Sequence, residues 1–179
     1  MIQSLAVFCG SKSGNNPLFA EHAILLGKIM AEKNISLIYG GGGKGLMMDV
    51  ADTVLKNGGK VTGIIPQLLL EWEQHHTGLT DLQVVPDMHS RKKLLFSLAD
   101  AAVVLPGGNG TLDEMFEMLT WNILKIHDKK IFILNTAGFY DHLLAHMRQM
   151  FDSDFLYEPN EERIIVINHP NDLLQFLGS

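Results

Sequence analysis

The chain has 179 residues, of which 46% are hydrophobic, enough for one domain with a core that needs no disulfide or metal staple. Its 14 basic and 20 acidic side chains give a net charge of −6, and the one basic run, Arg91-Lys92-Lys93, is too short to supply the broad positive surface of a nucleic-acid binder. Cys9 is the lone cysteine, the N-terminus lacks the pattern of a signal peptide, and no apolar stretch reaches the ~20 residues that span a bilayer, so a reducing, cytoplasmic setting with no membrane partner is expected.

Short apolar runs bounded by Gly, Pro or Asn alternate with segments of helical period, the sequence form of a parallel sheet covered by helices on both faces. Strands are predicted at 5–9, 36–39, 60–65, 82–85, 101–105, 130–134 and 163–167, with helices at 17–33, 45–57, 88–98, 111–126, 139–151 and 171–177. Pro17 suits a first helical turn, and Asn57-Gly58-Gly59 stops the second helix. The stretch 66–80 has no clean period, and reads as a loop or short helix over the site. With no repeat or linker along the chain, the expected fold is a single α/β domain spanning 1–179, Rossmann-like and three-layered (α/β/α), with a mostly parallel sheet of about seven strands.

Three glycine-bearing junctions follow predicted strands and precede predicted helices: Cys9-Gly10-Ser11, the run from Tyr39 through Gly40, Gly41, Gly42, Gly43 and Lys44 to Gly45, and Pro106-Gly107-Gly108-Asn109-Gly110-Thr111. At such places the first backbone N–H groups of a helix lack partners, and the missing Cβ lets an anion approach them. The loops fit neither common nucleotide signature. Lys44 is followed by Gly45 and Leu46 rather than Ser or Thr, which disfavours ATP hydrolysis, and Gly10-Ser11-Lys12-Ser13-Gly14 is a poor dinucleotide fingerprint.

Thr111 and Glu114 have the Thr-x-x-Glu spacing of a capping box, which is one account of Glu114. The other is geometric: three helical residues advance ~4.5 Å and return to nearly the same face, beside an anion held at the helix start. Asp113 reads as a first-turn acid that complements the helix dipole, and Glu117, one turn beyond Glu114, as a possible second site carboxylate. Arg91 opens another helix on the same sheet edge, where it can clamp a phosphate, stack on a base or simply face solvent. His75, His76 and His89 lack the spacing of a metal site, and Met47, Met48, Met115 and Met118 read mainly as core and pocket lining.

Met88-His89-x-Arg91-Lys92 followed by Pro106-Gly107-Gly108-x-Gly110-Thr111-x-x-Glu114 resembles the paired signature of the Lonely Guy (LOG) family, cytokinin riboside 5′-monophosphate phosphoribohydrolases often mislabelled lysine decarboxylases. The likeness runs along nearly the whole chain, through Gly45-Leu46-Met47, Gly63-Ile64-Ile65-Pro66, Thr120-Trp121 and Gly138-Phe139-Tyr140-Asp141. It implies hydrolysis of the N-glycosidic bond of a purine nucleotide to free base and ribose 5-phosphate, by a homodimer, with no cofactor and no metal. It also implies Arg91 and Glu114 as catalytic residues, with Glu73, Lys92, Gly108, Asn109, Gly110, Thr111 and Thr120 lining the nucleotide. Ser11, Gly41, Gly42, Met88, Gly107 and Glu117 complete the expected substrate-binding set. Asn109, Asp113, Lys44 and Met48 depart from the usual family pattern and bear on base preference and loop contacts. The competing reading is a non-catalytic carrier of a nucleotide or phosphorylated cofactor, since a phosphate cradle needs no chemistry.

Overall fold

Seven short strands lie side by side in one all-parallel sheet: β1 (Ser4–Phe8), β2 (Ser36–Tyr39), β3 (Val61–Pro66), β4 (Asp81–Val85), β5 (Ala101–Val104), β6 (Ile131–Leu134) and β7 (Ile164–Ile167), in the spatial order β4-β3-β2-β1-β5-β6-β7. The structure is a computed structural model that describes residues 2–72 and 75–177. Seven helices connect or follow the strands: α1 (Pro17–Glu32), α2 (Gly45–Lys56), α3 (Gln67–Trp72), α4 (Met88–Leu98), α5 (Asn109–Ile123), α6 (Asp141–Asp152) and α7 (Leu174–Leu177). All of the predicted strands are present, with ends displaced by a residue at most.

The central strands are apolar throughout because both of their faces are covered; every residue of β5 and β6 is buried. Alternate residues of β1 serve opposite layers. Leu5 and Val7 pack with Leu26 and Met30 of α1 and Val50 of α2, while Ala6 and Phe8 pack with Leu95 and Phe96 of α4 and Met115 and Met118 of α5. The methionine-rich face of α5 is therefore core, packed on the sheet.

Three helices differ from the sequence reading at their ends by two residues or more: α6, which starts at Asp141 where 139 was predicted, α5 and the last helix. α5 starts at Asn109 and ends at Ile123, rather than covering 111–126, because Lys125 takes a left-handed conformation (φ 57°) and the Ile126 amide bonds back to the Trp121 carbonyl at 2.9 Å. The final predicted helix opens instead as a 3-10 turn, Pro170–Leu173, before α7. The irregular stretch after β3 contains α3, a short helix over the sheet edge.

The chain winds outward from β1 to β4, then returns to place β5 on the other side of β1. At that reversal the loops after neighbouring strands diverge and leave a crevice at the carboxyl edge, where ligands of open α/β sheets bind. One hydrogen bond ties its two lips, from the Gly10 amide to the Pro106 carbonyl at 3.0 Å.

Candidate active site

The turn from β5 into α5 is Leu105-Pro106-Gly107-Gly108, and Gly108 is the N-cap, with φ −99°, ψ −155° and no side-chain cap bond. The first helical bond runs from the Leu112 amide to the Gly108 carbonyl at 3.2 Å, so the amides of Asn109, Gly110 and Thr111 have no partner within the helix. A Cβ placed on Gly108 or on Gly110 would meet nothing within 4 Å, which leaves the approach to those donors open. The capping box expected of Thr111 and Glu114 does not form. With Gly108 as N-cap, Thr111 falls on the third helical residue and Glu114 in the second turn, too deep to reach back to the cap. Thr111 instead packs over Gly107, whose Cβ would stand 2.1 Å from the Thr111 hydroxyl.

These amides form one wall of a cleft of about 280 Å³, with Cys9, Gly10 and Ser11 on the opposite lip, Met47 and Leu69 at one side, and Arg91 and Glu114 at its base. Arg91 Nη2 lies 3.5 Å from Glu114 Oε1, and the two side chains are only 9% and 10% exposed. Arg91 Nε donates to the Ile64 carbonyl at 3.1 Å, and Nη1 reaches Met88 Sδ at 3.9 Å. The guanidinium rests on Gly40, where an added Cβ would come within 2.0 Å of Nη2. Of the roles open to Arg91, the solvent-facing one is thereby removed: its residue is 8% exposed and aimed at the cleft.

Burial pushes the Glu114 carboxyl up to about 7; Arg91 opposes this, Asp113 adds to it, Lys92 opposes and Glu117 adds. A carboxyl in that range exchanges protons readily near neutral pH, as an acid or base catalyst must. Burial, with the nearby Glu114 charge, also holds the Cys9 thiol far above its ordinary value, so the cleft's one sulfhydryl is protonated and a poor nucleophile.

The remaining candidates divide. Ser11, Gly108, Asn109, Gly110 and Thr111 line the cleft with Arg91 and Glu114, and Gly107 backs Thr111 behind the wall. Met88 is exposed at the start of α4, beside Arg91. Thr120 is exposed farther along α5, and its hydroxyl is spent on the Phe116 carbonyl at 2.7 Å. Lys92 bonds to both Asp113 oxygens, at 3.0 and 3.3 Å, and pairs with Glu117; because α5 starts at Asn109, Asp113 lies beyond its first turn and pairs with this lysine instead of complementing the helix dipole. Gly41 and Gly42 are buried behind the cleft. Gly41 accepts the His76 amide at 3.0 Å, Gly42 forms a bridge with His75, and His76 Nε2 lies 2.9 Å from Asp52 Oδ1. Glu73 lies outside the described residues.

Sequence reasoning missed Leu69 and Gly40, while Cys9 is at once buried core and part of the cleft lining. The glycine at 40 could have been suspected only from knowing that Arg91 crosses the sheet edge to reach it. A second cavity of about 240 Å³ shares Gly10, Ser11 and Gly108 with the cleft and opens towards Phe19 and Phe139, whereas a larger one, about 510 Å³ between α6 and β7, holds none of the predicted site residues.

A family model described as "possible lysine decarboxylase" matches residues 47–177. The probable cytokinin riboside 5′-monophosphate phosphoribohydrolase LOGL1 of Oryza sativa subsp. japonica is 45% identical over 141 residues, covering 79% of this chain and 63% of that protein. The cytokinin riboside 5′-monophosphate phosphoribohydrolase LOG7 of Arabidopsis thaliana is 43% identical over 162 residues, 90% of this chain and 74% of that one. The protein of the same name from Rhodococcoides fascians is 39% identical over 165 residues, 92% of this chain and 83% of that one. The chain belongs to the LOG family. It spans under two thirds of the rice protein's length, though most of the bacterial relative's. Among solved structures, the molybdenum cofactor carrier protein of Chlamydomonas reinhardtii superposes with a TM-score of 0.74 at 17% identity, covering 99% of this chain and 98% of that one. The molybdenum cofactor binding protein of Rippkaea orientalis gives 0.73 at 18%, covering 99% and 96%. At those identities the likeness concerns the Rossmann-like fold, which LOG proteins share with proteins of other function. No helix among the described residues is long and apolar enough to cross a membrane.

Proposed function

We propose that this LOG-family chain hydrolyses the N-glycosidic bond of purine riboside 5′-monophosphates, AMP or its N6-substituted forms, releasing the free base and ribose 5-phosphate. The observation that carries the reading is the placement of a buried Arg91–Glu114 pair at the base of a cleft whose wall is the open amide end of α5. The 5′-phosphate docks on the amides of Asn109, Gly110 and Thr111, with Ser11 across the cleft, where the helix dipole favours an anion. Anchoring the phosphate fixes the ribose, so that C1′ comes near Glu114 in the next turn.

As the C1′–N bond breaks, positive charge develops on the ribose ring, and the Glu114 carboxylate offsets it. The same carboxylate accepts a proton from the attacking water, whose oxygen joins C1′; the departing purine leaves with the bonding electrons and takes up a proton. One water is consumed and no cofactor or metal enters the balance. Arg91, held by Ile64 and Gly40, fixes the rotamer of Glu114 and offers its remaining N–H groups to the substrate. The reading extends to a cytoplasmic homodimer. It is supported by the exposed Leu98, Ile123, Leu124 and Ile126 at the neighbouring ends of α4 and α5, and sedimentation of the purified chain tests it.

The decisive assay mixes the protein with AMP and follows adenine and ribose 5-phosphate. Glu114→Gln is expected to lower kcat by about 10³-fold, and adenosine, lacking the phosphate, to be a poor substrate. Equal turnover by the variant would remove the carboxylate from the mechanism, and AMP recovered intact from the wild type would favour a carrier.

A further inference from the structure

Consecutive residues of α4, Arg91 and Lys92, meet three acids of α5 in two separate pairings. Arg91 takes Glu114, at 3.5 Å, whereas Lys92 takes the acids on either side of it, Asp113 at 3.0 Å and Glu117 closer still. Lys92 is nearly as deeply placed as Arg91, its side chain 10% exposed, yet it is not part of the cleft wall. The ammonium has three N–H donors and meets three carboxylate oxygens, both of Asp113 and one of Glu117, which leaves none for a phosphate.

The groups that face Glu114 are few among the described residues. α4 contributes Arg91 and Lys92, α5 contributes Asp113 and Glu117, and the end of β1 contributes the Cys9 thiol; α2 and α3 bring only Met47 and Leu69 to the cleft. Without the Lys92 ammonium, Asp113 and Glu117 would be two uncompensated anions within one helical turn of the reacting carboxyl. The pull of both acids also holds the Lys92 ammonium above its ordinary range in spite of burial, so the cation persists throughout the working pH range.

We propose that Lys92 is a positioning residue: it draws the Asp113 and Glu117 carboxylates to itself, offsets their charge at Glu114, and so tunes the protonation state of the reacting group without touching the nucleotide. The proposal rests on the reading of Glu114 as the reacting carboxylate. It assigns to Lys92 a part in tuning the reaction instead of lining the substrate.

The test compares wild type, Lys92→Met and the triple variant Lys92→Met/Asp113→Asn/Glu117→Gln. The measurements are kcat and KM for AMP against pH, and the Glu114 carboxyl followed by carbon-13 NMR, its signal assigned by loss in Glu114→Gln. Lys92→Met is expected to raise both the kinetic limb and the NMR midpoint by about 1 on the pH scale, leaving KM within about twofold, and the triple variant to bring both back. Should Lys92→Met fail to fold, Asp113→Asn/Glu117→Gln, which keeps the lysine, is expected to move both downward. A KM raised tenfold or more with the Glu114 midpoint unmoved would overturn the proposal and return Lys92 to the substrate. The NMR arm separates this outcome from failure of the proposed reaction: a midpoint that shifts in a protein that leaves AMP intact sustains the charge relation and sinks the hydrolase.

Discussion

Two glycine-rich junctions, 39–45 and 106–111, share composition and a strand-to-helix position, yet the fold uses them in opposite ways. In the first, protein fills the space that the glycines leave. Arg91 lies on Gly40, Met47 Sδ would be 2.8 Å from a Cβ on Gly42, and the Ser11–Lys12 backbone would be 2.5 Å from one on Gly45. The Met47 amide near the start of α2 is already engaged by the Gly10 carbonyl at 3.3 Å. In the second, Gly108 and Gly110 face open space, and the amides at the start of α5 have no partner within the helix. Glycine density therefore marks close approach of something to the backbone; whether that something is a ligand or the protein itself depends on what the neighbouring loop brings.

The comparison can be broken at each loop. The largest effect is expected for Gly45→Ala, where φ is +56° and the new methyl meets backbone: urea unfolding should show a loss of about 3–4 kcal/mol. Gly40→Ala should spare more of the stability but push the Arg91 guanidinium off its seat, lowering kcat/KM for AMP by about 100-fold. A variant with unaltered kinetics would show that the Arg91 position is not set by that glycine. Gly108→Ala should do the reverse of Gly45→Ala, with stability changed by less than about 1 kcal/mol and KM for AMP raised on the order of tenfold, the scale of one weakened hydrogen bond. Unaltered KM there would place the phosphate elsewhere.

A further prediction concerns pH. Glu114 titrates at 4.5 when unfolded and about 7 in the fold, so between those values the native state holds a proton that the unfolded chain has lost. Stability is fully present below about 4.5 and declines as pH rises towards 7, with a slope that for one group stays under about 1.4 kcal/mol per pH unit. Comparing the pH dependence of unfolding in wild type and Glu114→Gln isolates this contribution, which the variant should lack. The hydrolytic rate should run the other way, rising through the same region as the carboxylate forms.

The sheet was legible because each strand is a short apolar run closed by a turn residue, and a strand buried on both faces admits little else. The third junction and Glu114 were legible for a related reason, that chain order alone places them at the carboxyl end of β5. The start of α5 was not, since Thr-x-x-Glu is a local signal, and glycine at 108 outcompeted it by taking the extended cap conformation three residues before the predicted cap at Thr111. Nor were the partners of Lys92, because Asp113 and Glu117 stand 21 and 25 positions further along the chain and meet it only through the packing of α4 beside α5. Gly41 and Gly42 show the limit from the other side, as their neighbours, His75 and His76, come from the stretch with the least periodic sequence in the chain.

The hydrogen bond from Gly10 to Pro106 has a mechanical meaning. It joins the first βα loop to one that the chain reaches only after ninety-six further residues, at the seam where the two wings of the sheet meet. A nucleotide seated there would act as a rivet between the wings, and its occupancy should slow amide exchange in 9–11 and 107–112 together, coupling capture of the ligand to the cohesion of the whole sheet.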